Sequence, residues 1–565
     1  MVDTVGRLKK IGQTVWLPLA LIGLFWVARY WHSSQFGLYE DDLTVVPRAV
    51  SLSTPELLDY VGNFIVHLYD DGRPLFNSLN YLLSAFGWRA AGMMGPYLLG
   101  FLIESVNVVL FYTLIRRVYG KKVAAFAGVA YVLYSADTTQ VWLHRSLGAE
   151  PSLTLVFLAL HAYVSDRLVL AYGMAAVILF SYESPYTIFL CAPLLTNPRG
   201  SSQRREWIRH LAITLALLGA AYLMRRAIGT ERVIGYELGE MLQTSAVHAV
   251  VGPVVSLGTY ALRPLQTVAS LNREALLAAA LSLPVFLLLL SGRWGTGTEG
   301  AHPPGQAGGG LRAVFQAYAR PLLTGLAMLC SSYLLTFTVR AYAISGRDTR
   351  VHFAAGAGAA LVVAVLAALL WDALHARGKG RLGALLIAGE AALLIGFGQV
   401  IQRDYQVGWV SQQRFWSALV TQIPDVRNGT VVLVEPGPLG DVTQIGANTW
   451  NLPRVLEQLY VFPPDWDQPP RVVRLEPNWR QHILSGEGPL QLDWRSVLSL
   501  PSVWGEVEGK NVILFLEEGG VLVRQSGPMD IAGQMTSLMT TGQRGEPPYP
   551  HRLLYDLLIR NTLPD

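Results

Sequence analysis

The chain has 565 residues, 52% of them hydrophobic and only 15% charged, with a formal net charge of +4 and a mean hydropathy of +0.34. Soluble globular proteins carry about a quarter charged residues, so this composition excludes an ordinary soluble enzyme and points to an integral membrane protein. The two cysteines, Cys191 and Cys330, both lie in apolar segments, which excludes a disulfide framework and a cysteine-rich metal site.

Arg7, Lys9 and Lys10 precede an apolar run of spanning length with no small-residue cleavage site after it. The run reads as a retained anchor, and the positive-inside rule puts the N-terminus in the cytoplasm. The first span, 14–30, ends in an aromatic anchor of Trp26, Tyr30 and Trp31 and delivers the stretch Gly37-Leu38-Tyr39-Glu40-Asp41-Asp42 to the outer face. Three adjacent carboxylates at a membrane surface raise one another's pKa. They read as a cation site, a proton-handling site or a solvated turn. The segment 43–88 is too polar to span, and its amphipathic pieces, 55–67 and 73–86, fit surface helices. Between them, Asp70-Asp71-Gly72-Arg73-Pro74 reads as a turn.

Further spans are expected over 95–115, 123–136, 153–164, 168–180 and 186–196, then in a run reaching Met224, and over 276–290, 321–337, 353–371 and 382–401. The loop Ser181-Tyr182-Glu183-Ser184-Pro185-Tyr186 lies between two of them. The apolar stretch 247–262 is interrupted by Pro253 and Gly258. Left at the interface, it gives about eleven spans, places every short Arg/Lys-rich hairpin inside and puts the C-terminus outside. Residues 291–310 form a Gly/Pro-rich linker. From residue 402 the pattern changes to short strands at 430–434, 471–475, 511–516 and 520–524, with a helix near 452–460. The reading is a transmembrane domain over 1–401 and a small soluble α/β domain over 402–565. The chain shows no internal repeat, phosphate-binding glycine loop, nucleophile elbow or His-x-x-x-His pair.

Charged groups at membrane depth are costly and are candidate sites by default. The outer face gathers Glu40, Asp41, Asp42, Asp70, Asp71, Glu150 and Glu183 as acids, with Arg73, His144, Arg145, Arg340, Arg347, Arg350 and His352 as the basic set. Arginine grips phosphate bidentately, and a carboxylate can take a proton from an attacking hydroxyl. Each also has an ordinary reading. The acidic triplet can cap the next helix, Arg73 can pair with a carboxylate, Glu183 can sit at a helix end, and the arginines can touch headgroups.

An acidic motif after the first span, surface helices, about eleven spans and an outer C-terminal domain together resemble the GT-C superfamily. Its members include protein O-mannosyltransferases, aminoarabinose transferases and oligosaccharyltransferase catalytic subunits. The likeness covers roughly 15–401. It implies an inverting transfer of a sugar from a polyprenyl-phosphate donor to a glycan, lipid or protein acceptor on the outer face of a bacterial plasma membrane. Asp41 or Asp42 would then be the base or bind a metal, with Mg or Mn the one cofactor left open. Glu40, Asp70, Asp71, Arg73, Glu183, Arg340, Arg347 and Arg350 would line the substrates. No nucleic-acid partner is implied. The Trp-Trp-Asp signature of oligosaccharyltransferases is absent, which argues against asparagine-linked transfer. A flippase of lipid-linked sugars would want charges buried in mid-helix, and Glu104 and Glu390 look isolated. A non-catalytic scaffold is the third reading.

Overall fold

Long apolar runs become long helices. The computed structural model describes residues 16–67, 72–196, 202–229, 238–291, 311–337, 341–435, 452–475, 483–484, 490–492, 506–507, 509–519, 521–531, 534–539 and 545–560. Seven of the described helices are long and apolar enough to cross a membrane: Met94–Tyr119, Arg145–Val164, Arg204–Ile228, Gly239–Ala269, Arg273–Leu290, Arg347–Ala376 and Gly380–Val420. Shorter helices occupy other expected spans, among them Lys121–Val132 and Leu168–Ile178. Among the described residues, length and composition alone thus mark seven helices as spans, and the expected count of about eleven is not confirmed by this measure. The surface helices of the first loop form over Thr54–Val66 and Pro74–Ala91. The chain divides into two compact units, one of Met1–Ser34 with Pro55–Arg403, the other of Gln35–Thr54 with Asp404–Asp565.

The first unit is a helical bundle with two polar ends. At one end Lys122 pairs with Asp372, Tyr318 donates to Asp372 (2.8 Å), Tyr119 meets Thr324 (2.6 Å) and Arg117 donates to Ser165 (2.7 Å). At the other end lie the segments around residues 134–150, 181–186, 333–337 and 341–355. The close crossing of Leu311–Ser331 and Gly356–Ala376 uses glycine, because a Cβ on Gly358 would strike the backbone of Leu329.

The helix Leu238–Ala269 contains the 247–262 stretch, with Pro253 and Pro264 inside it. Its length would let it cross, and its polar side chains bond to several segments. Ser245 donates to the Leu334 carbonyl (2.9 Å), His248 to the Thr336 carbonyl (2.8 Å), Tyr260 to the Ala130 carbonyl (2.8 Å) and Arg263 to the Ile344 carbonyl (2.5 Å). Residues 245–263 cover about 27 Å of helix at 1.5 Å per residue. Further along, the Thr267 hydroxyl donates to the Leu393 carbonyl (3.0 Å), inside the helix Gly380–Val420.

The second unit is built on a mixed sheet. Val431–Val434 pairs in parallel with Arg471–Arg474 on one side and with Val512–Glu518 on the other, and Val521–Arg524 closes the edge antiparallel to Val512–Glu518. The parallel pair needs a crossover, and the helix Leu452–Leu459 supplies it by packing on Arg471–Arg474. Valine and leucine at the inward positions bury the central strand. Arg524 holds Asp425 through two hydrogen bonds of 2.7 and 2.8 Å, fixing the sheet edge to the chain that enters it. All four strands expected from the sequence are present to within a residue or two.

Candidate functional site

The acidic triplet belongs to the second unit. The Asp42 and Leu43 amides donate to the Tyr39 and Glu40 carbonyls (3.0 and 3.2 Å), and the Val45 amide donates to the Asp41 carbonyl (2.9 Å). These bonds open the helix Asp42–Ser51. Glu40 sits at φ +50°, a left-handed conformation that costs a side-chain-bearing residue about 1–3 kcal/mol. Glu40 is 2% exposed and Asp42 0%, whereas Asp41 is half-buried. The solvated-turn reading therefore fails for two of the three acids. Asp41 stands at the N-cap position without a side-chain capping bond. Burial pushes the neighbouring Tyr39 phenol far above its ordinary range, so it stays protonated and donates to the Tyr405 carbonyl (2.6 Å).

In the first unit, charged and aromatic groups form a ladder. Arg73 grips Glu183 bidentately, once through Nε (2.9 Å) and once through Nη2. Arg225 reaches the same carboxylate at 3.4 Å and the Leu179 carbonyl at 2.7 Å. The Arg73 guanidinium lies 4.3 Å over the Tyr182 ring, which meets Phe353 edge-on at 5.6 Å. Phe353 in turn lies 4.1 Å under the Arg145 guanidinium, and Arg145 pairs with the fully buried Asp137 at 2.6 Å. Asp137 also accepts the Thr139 amide (2.9 Å) and hydroxyl (2.7 Å). Arg145 is placed by a π-helical turn, Arg145–Ala149, that leads into the helix Glu150–Val164.

Beside the ladder, Glu104 and Glu150 line a small cavity together with Tyr131, Tyr134, Gln140 and Phe353. Glu104 accepts from the Tyr30 hydroxyl (2.7 Å) and Glu150 from the Asn107 amide (2.9 Å). Glu104 is thus not the isolated charge that sequence inspection suggests. The missed signal is its i,i+3 spacing from Asn107, which puts two polar groups on one face of an apolar helix. Glu150 and Thr154, at i,i+4, meet the same Asn107 amide from the next helix.

Of the residues expected to line a site, Arg73 and Glu183 come together, and Arg73 takes the carboxylate-partner role. Arg347 and Arg350 lie on the 3-10 stretch Arg347–Ala355, both half-buried. That stretch is pinned by His352, which donates through Nε2 to the Ala343 carbonyl (2.7 Å) and accepts at Nδ1 from Tyr333 (2.7 Å). Asp70, Asp71 and Arg340 lie outside the described residues. Among the described residues, no three His, Cys, Asp or Glu side chains gather as metal ligands.

The fold and these clusters define a polytopic helical membrane protein with a small α/β unit and a buried acid–arginine ladder at one polar end of its bundle. No family model and no curated protein matches the chain. Among solved structures, ArnT from Cupriavidus metallidurans in the apo state is 14% identical, covers 90% of this chain and 93% of its own, and gives a TM-score of 0.36. ArnT from the same organism bound to undecaprenyl phosphate is 12% identical, with 76% and 84% covered and a TM-score of 0.38.

Proposed function

We propose that the protein is a GT-C-like membrane glycosyltransferase that moves a sugar from a polyprenyl-phosphate donor to an acceptor hydroxyl, with inversion. The observation that carries this reading is the buried ladder of Arg73, Tyr182, Phe353 and Arg145 with their carboxylates, at one end of an otherwise apolar bundle. Intramembrane charges are retained where they serve a site. Guanidiniums, aromatic faces and carboxylates are also the groups that a phosphate-linked sugar requires.

In the reaction, the Asp41 carboxylate takes the proton of the acceptor hydroxyl as its oxygen bonds to the anomeric carbon. The bond from that carbon to the phosphate oxygen breaks, and its electron pair leaves with the phosphate. Asp41 is assigned the proton because it is the acid of the triplet that solvent reaches, while Asp42 is sealed into the start of its helix. Arg347 and Arg350, with Arg340, would meet the phosphate and stabilise its growing charge. Glu40, Asp70 and Asp71 are the carboxylates proposed for the acceptor. A divalent cation, if used, would draw on Asp41 and Asp42. The protein would work in a bacterial plasma membrane, with its second unit extracytoplasmic.

The test is transfer from a panel of radiolabelled polyprenyl-phosphate sugars by the purified full-length protein in liposomes. Wild type should transfer from at least one donor, and Asp41→Asn should lower kcat by about 10²–10⁴-fold, the usual contribution of a general base. Transfer that survives both Asp41→Asn and Asp42→Asn would contradict the assignment. Glu104, buried in mid-helix with partners, favours a second reading, transport of lipid-linked sugars. That reading requires donor translocation in the same liposomes with no covalent transfer.

A further inference from the structure

We propose that the second unit holds the reacting loop: Tyr405 and Trp409 clamp Gly37 and Tyr39, and thereby set where the Asp41 carboxylate stands. The role in positioning rests on the transferase reading, whereas the clamp does not. Tyr405, Trp409 and Gln412 fall at i, i+4 and i+7 of the helix Gly380–Val420, so they share one face. Each meets a different residue of the loop. The Tyr39 hydroxyl donates to the Tyr405 carbonyl (2.6 Å) and accepts the Gly37 amide (3.1 Å), so both of its functions are used within the clamp. The Tyr39 and Phe36 rings each pack on Tyr405 at 5.0 Å, Tyr39 edge-on. Gln412 donates to the Leu38 carbonyl (3.3 Å), and earlier on the same helix Gln406 donates to Gln35 (2.6 Å).

Gly37 is the keystone of the arrangement. A Cβ built there would fall inside the Trp409 indole. The loop can lie this close to the helix only because residue 37 has no side chain. Contacts at 35, 36, 37, 38 and 39 leave the chain no freedom to slide before Glu40, and the left-handed Glu40 then turns it into the helix that starts at Asp42. Tyr39, Tyr405 and Trp409 are on this account positioning residues for Asp41. The second unit is then part of the enzyme's working geometry and not an appended partner-binding domain.

The experiment is a double-mutant cycle on the full-length protein in detergent, with Gly37→Ala, Trp409→Ala and both together. Unfolding temperature is one readout; kcat and KM for the polyprenyl-phosphate sugar are the other. Gly37→Ala should lower the unfolding temperature in the wild-type background and hardly at all beside Trp409→Ala, because the clash partner is then gone. Equal shifts in both backgrounds would overturn the clamp, since residues that do not touch add independently. Gly37→Ala should also lower kcat by about a hundredfold, the scale of an ångström-sized misplacement, with KM unchanged. A purely structural contact would instead reduce the amount of folded protein and leave kcat per active molecule intact, and that result would overturn the positioning role. Should Gly37→Ala not accumulate, Tyr39→Phe keeps the ring and removes one hydroxyl, and the same split of kcat from KM decides the matter. A non-additive cycle in a protein that transfers no sugar would overturn the transferase reading, and the positioning role with it, while the clamp stands.

Discussion

The helical bundle and the acidic loop are fixed in different ways. In the helical bundle the acids are held by named side chains: Glu183 by Arg73 and Arg225, Asp137 by Arg145, Glu150 by Asn107 and Glu104 by Tyr30. In the acidic loop the chain itself is pinned, by Tyr405, Trp409 and Gln412, and the Asp42 carboxylate accepts the Tyr39 amide (3.4 Å). The first arrangement trades desolvation against charge pairing and fixes helices to one another. The second fixes a short turn while leaving one acid, Asp41, half-open. A group that must exchange a proton with a substrate is better served by the second.

That contrast can be broken at several points. The largest effect on stability is expected from Arg145→Ala, which leaves Asp137 buried without its cation. Losing one partner of a buried pair costs about 3–5 kcal/mol, and thermal unfolding of the purified protein should show it. If the loss is small, the ladder is not a structural pairing. Arg73→Lys should cost less, about 1–3 kcal/mol, because an ammonium keeps the charge but cannot form the two-pronged contact with Glu183. Phe353→Leu removes the ring beneath Arg145 while keeping much of the volume, and the lost cation–π contact should appear as about 0.5–2 kcal/mol. The smallest effect has the opposite sign. Glu40→Gly relieves the left-handed backbone and should stabilise the second unit by up to about 1 kcal/mol relative to Glu40→Ala. An equal stability for the two variants would mean that the turn is not strained.

Much of the architecture was legible because it is written locally. Apolar runs marked the helices, short valine-rich runs marked the strands at 431–434 and 471–474, and amphipathic spacing marked the surface helices of the first loop. The site was less legible, because its contacts join distant positions. Tyr30 meets Glu104 across 74 residues and Tyr39 meets Tyr405 across 366, separations over which no periodicity carries information. Glu104 therefore looked isolated, and nothing local to Trp409 pointed to Gly37. Arg73 and Glu183 were singled out as polar residues at helix ends, but their pairing with each other appears only when the two segments meet.

The most direct test of the account is sugar transfer by wild type, Asp41→Asn and Asp42→Asn in liposomes at matched amounts of folded protein. The account predicts a loss of kcat by about 10²–10⁴-fold in Asp41→Asn with donor binding retained, and a smaller loss in Asp42→Asn, which acts through the turn. Full transfer by Asp41→Asn would contradict it.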